Sequence, residues 1–108
     1  MHLPNAHLAI VEPEKLTGYL LNSAHLMGAS KARFFSDFGF RTEEWWVLAE
    51  ALRGHGQQHE VAKVKATDFG PRYEIEGELP APRIRTVWQV DNGEIAPRLI
   101  TAYPLGVL

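Results

Sequence analysis

The chain has 108 residues, 45% of them apolar and 22% charged, with no cysteine and a formal charge of −2. That length predicts one domain, residues 1–108, able to bury a core without metal or disulfide staples. The missing cysteine excludes a disulfide framework, a thiolate zinc site and a cysteine nucleophile, and the mildly acidic balance argues against a strongly electrostatic grip on nucleic acid. The opening "MHLPNAHLAI" lacks the basic start and long apolar run of a signal peptide. No apolar run approaches the roughly 20 residues that span a bilayer. The expected location is the cytoplasm, with no membrane partner.

"VEPEKLTGYLLNS" reads as a first helix, with Pro13 in its first turn and Leu16, Tyr19 and Leu20 at helical spacing. A second helix is expected from an N-cap at Ser30, with Ala32, Phe35 and Phe38 on one face and Gly39 as its stop. "RTEEWWVLAEALRGHGQQ" is the clearest helix. Thr42 is its expected cap, Trp45, Leu48, Ala49 and Leu52 its apolar stripe, and Gly54 and Gly56 its end. Trp45 and Trp46 are adjacent and cannot share a helix face, so one belongs to the core. Four strands are expected at 60–67, 72–79, 84–90 and 97–103. "TDFGP" and "VDNGE" are the turn signals, Asn92-Gly93 the strongest. "LPAPR" makes a stiffer link between the middle strands.

Helices followed by strands predict an α+β fold. Two or three N-terminal helices should pack on one face of a four-stranded antiparallel sheet, leaving the other face to solvent. Alternation turns Tyr73, Ile75, Ile84, Thr86 and Trp88 towards the helices. It turns Glu74, Glu76, Glu78, Arg83 and Arg85 outward. The last strand has two registers. One turns Ile100 and Ala102 inward and leaves Thr101 and Tyr103 beside Arg85; the other buries Leu99, Thr101 and Tyr103.

"LNSAHLMGASKARFFSDFGF" and "RIRTVWQVDNGEIAPRLITAYPL" resemble the signatures of a family of small bacterial domains with no assigned function. The opening "LPNAHLAIVEPEKLTGYLL" resembles the start of that family, so the match covers nearly the whole chain. Ser23-Ala24 stands where a proline-containing turn is expected, and the connection at 80–83 is short. More distantly, helices followed by a four-stranded sheet ending in "LITAYP" are similar to the barnase–EndoU–colicin–RelE group of ribonucleases. That resemblance implies metal-independent endoribonuclease action of bacterial toxin type. It also implies RNA as substrate and an antitoxin or immunity protein as partner.

RNA cleavage by the 2′-hydroxyl needs a base for the hydroxyl proton, an acid for the leaving 5′-oxygen, and donors for the crowded phosphate. His25 is the candidate for proton transfer and Lys31 and Arg85 for phosphate, with Thr101 and Tyr103 positioning the substrate. Glu74 or Glu76 is a secondary candidate for the base. Each has an ordinary alternative: a loop histidine, a solvated lysine, an arginine paired across the sheet with a glutamate, two strand formers. No cofactor or metal is expected. His55 and His59, four apart, supply only two of the three or four ligands a metal site uses. The competing function is a non-enzymatic interaction module, using the open sheet face or an exposed edge strand.

Overall fold

The computed structural model describes residues 1–79 and 82–105. The "LPAPR" link falls partly outside the described residues; at its near end the Leu79 N–H donates to the Pro82 carbonyl at 2.8 Å.

The first helix, α1, begins at Pro13–Lys15 and loosens into a π-helical turn over Leu16–Leu20. The Leu21 N–H reaches back five residues to the Leu16 carbonyl, at 2.8 Å. This wider turn buries Leu16 and Leu20 completely while Tyr19 stays partly exposed. Helix α2 spans Ala29–Asp37, and its N-cap is Gly28 rather than the expected Ser30. Gly39 does end it, at φ +88, with the Phe40 N–H bonded to the Phe35 carbonyl at 3.1 Å. The third helix differs at both ends from expectation. Thr42–Glu44 form a 3₁₀ turn, and α3 follows over Trp45–Gln58. Thr42 does not cap it; its hydroxyl donates to the Leu21 carbonyl at 3.3 Å and ties the turn to α1. Gly54 and Gly56 lie inside the helix rather than ending it. Trp45 packs against the core and Trp46 is exposed.

Strands β1 (Val61–Lys65), β2 (Arg72–Glu78), β3 (Arg83–Gln89) and β4 (Arg98–Pro104) form an antiparallel sheet in the order β1-β2-β3-β4. The fold is α+β, three helices preceding a four-stranded antiparallel sheet. Alternation holds: Tyr73, Ile75, Ile84 and Trp88 join Leu16, Leu20, Phe35, Leu48 and Leu52 in one core, and Trp88 is 0% exposed. The Asn92-Gly93 turn forms within the 90–97 link, where the Glu94 N–H meets the Asp91 carbonyl at 2.9 Å.

A bulge resolves the register of β4. Val87 pairs with Thr101 and Trp88 with Leu99, so Ile100 is the extra residue. The first expected register holds from Thr101 on, with Ala102 in the core and Thr101 and Tyr103 on the face of Arg85; before the bulge the second holds at Leu99, which turns into the core. That face is less open than expected, because Val87 is 6% and Gln89 1% exposed. Gln89 is held by Arg72, whose Nε donates to its Oε1 at 3.0 Å, and donates in turn to the Gly70 carbonyl at 2.8 Å.

β4 is an edge strand partly covered by the N-terminal segment. Ile10 pairs with its first turn of chain, donating to the Pro97 carbonyl at 2.8 Å and accepting from the Leu99 N–H at 2.9 Å. This contact carries α1 and the connector after it to the β4 side of the sheet.

Candidate functional site at the last strand

Tyr19 organises the site. The wide turn at the end of α1 projects it to β4, where its hydroxyl bonds the Thr101 hydroxyl at 2.9 Å. The His25 ring meets it edge-on at 5.0 Å between centroids, and the Lys31 Nζ lies 5.5 Å from its ring centre. Lys15 Nζ lies 5.7 Å from the same ring. Cations at such distances are attracted to the ring's negative face.

Gly28 makes this packing feasible. Its φ of −104 is open to any residue. A Cβ there would lie 2.6 Å from the Tyr19 carbonyl oxygen and 2.8 Å from its Cδ1. Glycine is required by close approach, not by the freedom to turn.

The His25 ring is committed to the connector. Its Nδ1 accepts from the backbone N–H groups of Met27 and Gly28, each at 3.0 Å. An atom that accepts two N–H bonds carries no proton, which leaves hydrogen on Nε2. Lys31, in the first turn of α2, donates to the Met27 carbonyl at 3.4 Å.

On the sheet face, Arg85 sits between partners. Its Nη2 reaches Glu76 Oε2 at 2.6 Å and its Nε the same oxygen at 3.2 Å. Its Nη1 donates to the Tyr103 hydroxyl oxygen at 2.8 Å, and Glu74 lies 3.6 Å from its Nε. The Tyr103 bond, and then Glu76, hold the guanidinium still further above its ordinary pKa. It remains a cation under all conditions in which the protein is folded. Since Tyr103 accepts from Arg85, its own proton is free to donate elsewhere.

Lys31 and Tyr103 line one cleft of about 410 Å³ with Ser30 and Pro104. The five residues singled out from sequence therefore fall into two linked groups. Tyr103 joins Arg85 to the Lys31 cleft, and Tyr19 joins Lys31, His25 and Thr101. Glu76 belongs to the first group. Sequence reasoning missed Tyr19 and Ser30. Tyr19 was absorbed into an apolar helical stripe, and its hydroxyl was the neglected signal. A larger depression of about 820 Å³, between α2 and the turn before α3, contains none of the five; its charges, Arg33, Asp37, Arg41 and Glu43, are of both signs. Among the described residues no group of three or more His, Asp or Glu is placed to hold a metal, and no helix is long and apolar enough to cross a membrane.

The fold and this cluster define an α+β domain with a cleft where the start of α2 meets the last strand. The chain belongs to the family described as Domain of unknown function (DUF6883), whose model matches residues 2–106. Neither the curated proteins nor the solved structures hold a match.

Proposed function

We propose that the cleft beside β4 cleaves RNA without a metal, through attack of the 2′-hydroxyl on the adjacent phosphate. The observation that supports this is the convergence of Lys31, Arg85 and two tyrosine hydroxyls from distant parts of the chain onto one edge of the sheet. Lys31 and Arg85 supply charge to the phosphate, and Tyr103, its hydroxyl oxygen accepting from Arg85, gives its proton to the leaving 5′-oxygen as that oxygen's bond to phosphorus breaks. Glu76, beside Arg85, takes the 2′-hydroxyl proton. His25 serves as a positioning residue: with Nδ1 occupied it fixes the connector that delivers Lys31, and its Nε2–H is a hydrogen-bond donor. In this reading the protein is a toxin-type ribonuclease, and an antitoxin or immunity protein is the expected partner.

The test is cleavage of RNA in EDTA by the purified protein. Lys31→Ala and Tyr103→Phe should each lower the rate by about 100–1000-fold, the range expected for removing one transition-state donor. Arg85→Ala should abolish cleavage and leave the far-UV spectrum intact. Activity lost in EDTA and restored by magnesium would overturn the reading, as would equal rates for the three variants and the parent.

One observation favours a second reading, docking of a protein on the sheet face. Arg85 is neutralised within the chain by Glu76 and Glu74, and Lys65 reaches Glu74 at 3.8 Å. A face of internally paired charges suits a polar protein interface as well as a phosphate. Loss of partner capture in Arg85→Ala, with no cleavage by the parent, would favour that reading.

A further inference from the structure

Both edges of the sheet are covered only in part. At β4 the N-terminal segment pairs with the start of the strand through two backbone bonds at Ile10, and the Tyr19 hydroxyl bonds Thr101 further along it. At β1 only the start is covered, where the Val61 N–H donates to the Met1 carbonyl at 2.8 Å. Beyond Val61 nothing else among the described residues pairs with the outer side of β1. Ala62, Lys63, Val64 and Lys65 are all exposed, Val64 to 47%. An uncovered edge presents unpaired backbone donors and acceptors, a template for another strand.

The side chains state what that strand should be. Val61 and Val64 pair with Ile75 and Tyr73, so they lie on the helix side of the sheet. Lys63 and Lys65 pair with Glu74 and Arg72, so both lysines lie on the other face. The one neighbour β1 already has shows the complement at Glu74, which stands opposite Lys63 and is reached diagonally by Lys65, whose direct partner is Arg72. β2 alternates Tyr73, Glu74, Ile75 and Glu76, and Lys65 reaches Glu74 at 3.8 Å. A strand on the free side meets the same pattern from the other direction: two cations on one face and Val64 on the other.

We infer that β1 is a docking edge for an extended segment of a partner protein in which acidic and apolar residues alternate. Backbone bonds provide the attachment, and carboxylates opposite Lys63 and Lys65 select the sequence. A second copy of this chain fits poorly, because an antiparallel β1–β1 pair sets lysines against lysines. The inference does not rest on catalysis: β1 and the Lys31 cleft are at opposite edges of the sheet, so one can fail while the other stands.

The test uses the full chain, isotopically labelled, titrated with a short synthetic peptide alternating glutamate and valine. A peptide alternating lysine and valine is the control. The acidic peptide should shift the amides of 62–65 and slow their exchange with solvent; the basic one should not. Lys63→Glu should weaken the acidic peptide by about tenfold and improve the basic one. Because Lys63 stands opposite Glu74, the companion variant is Lys63→Gln, which sets no second carboxylate against Glu74; it should also weaken the acidic peptide, with the core amides unperturbed. Equal binding of the two peptides, shifts confined to β4, or no binding would overturn the inference. A dimer in sedimentation that Lys63→Glu alters would overturn it in favour of a second copy.

Discussion

His55 is 2% exposed and forms part of a continuous chain of buried hydrogen bonds. Trp88 Nε1–H donates to the Thr86 hydroxyl at 2.9 Å; that hydroxyl donates to His55 Nδ1 at 2.9 Å; and His55 Nε2–H donates to the Gly77 carbonyl at 3.1 Å. Every polar atom in the series is satisfied only if the imidazole is neutral. Burial drives its pKa down from 6.5 to about 4; the Gly77 bond partly offsets this, and His59, 4.8 Å away between rings, adds to it. The unfolded chain therefore takes up a proton near pH 6.5 that the folded chain refuses until about pH 4. The contribution is complete above the upper value and shrinks as pH falls through that window, by about 3 kcal/mol in total. Urea midpoints at pH 7 and pH 4 should show the parent losing about that much more stability than His55→Gln. Equal losses would mean that His55 titrates normally. Sequence turned Thr86 and Trp88 inward correctly by alternation. It had no means to pair them with a histidine from α3, since 31 positions separate His55 from Thr86.

At the scale of elements, α3 shows why local rules misplace an end. Two glycines near a helix terminus ordinarily stop it. Here Gly56 is buried, with the Trp88 ring close against it, and the helix runs on to Gln58. A Cβ at Gly56 would lie 2.8 Å from Trp88 Cζ2, whereas at Gly54 its nearest neighbour would be the flexible Gln58 amide at 3.7 Å. The two positions should respond oppositely to the same change. Gly54→Ala gains helix propensity and should stabilise by roughly 0.5–1 kcal/mol. Gly56→Ala gains the same propensity but must displace a core tryptophan, and should destabilise by about 1–3 kcal/mol. Chemical denaturation of the pair decides it; two changes of equal sign would put the Gly56–Trp88 contact in doubt. The strands were easier to read, since a period of two survives wherever one face is buried. The Ile100 bulge was not, because it reverses that period within β4, and no residue type there announces it.

At the scale of the molecule, the candidate site exists only when both ends of the chain are assembled. The sequence supplied five of its residues by chemical type, but not the tyrosine that gathers them, because Tyr19 and Thr101 are 82 positions apart. The N-terminal segment reaches β4 through two kinds of contact: backbone pairing of Ile10 with the start of the strand, and the Tyr19–Thr101 hydroxyl bond in its middle. If the second is a true coupling between α1 and the sheet, Tyr19→Phe and Thr101→Val should not be additive. Each single change strands one hydroxyl in a partly buried place, and the double change removes both. A double-mutant cycle should then give a coupling of about 0.5–1.5 kcal/mol, the usual net worth of such a bond. If the cleft cleaves RNA as proposed, the same cycle measured on that rate would separate structure from function. Loss of the bond loosens Tyr19, and with it the ring against which His25 and Lys31 rest. The rate should therefore fall in both single variants, and fall no further in the double. Additive stability changes within about 0.3 kcal/mol would show that α1 is held to the sheet by its apolar contacts alone.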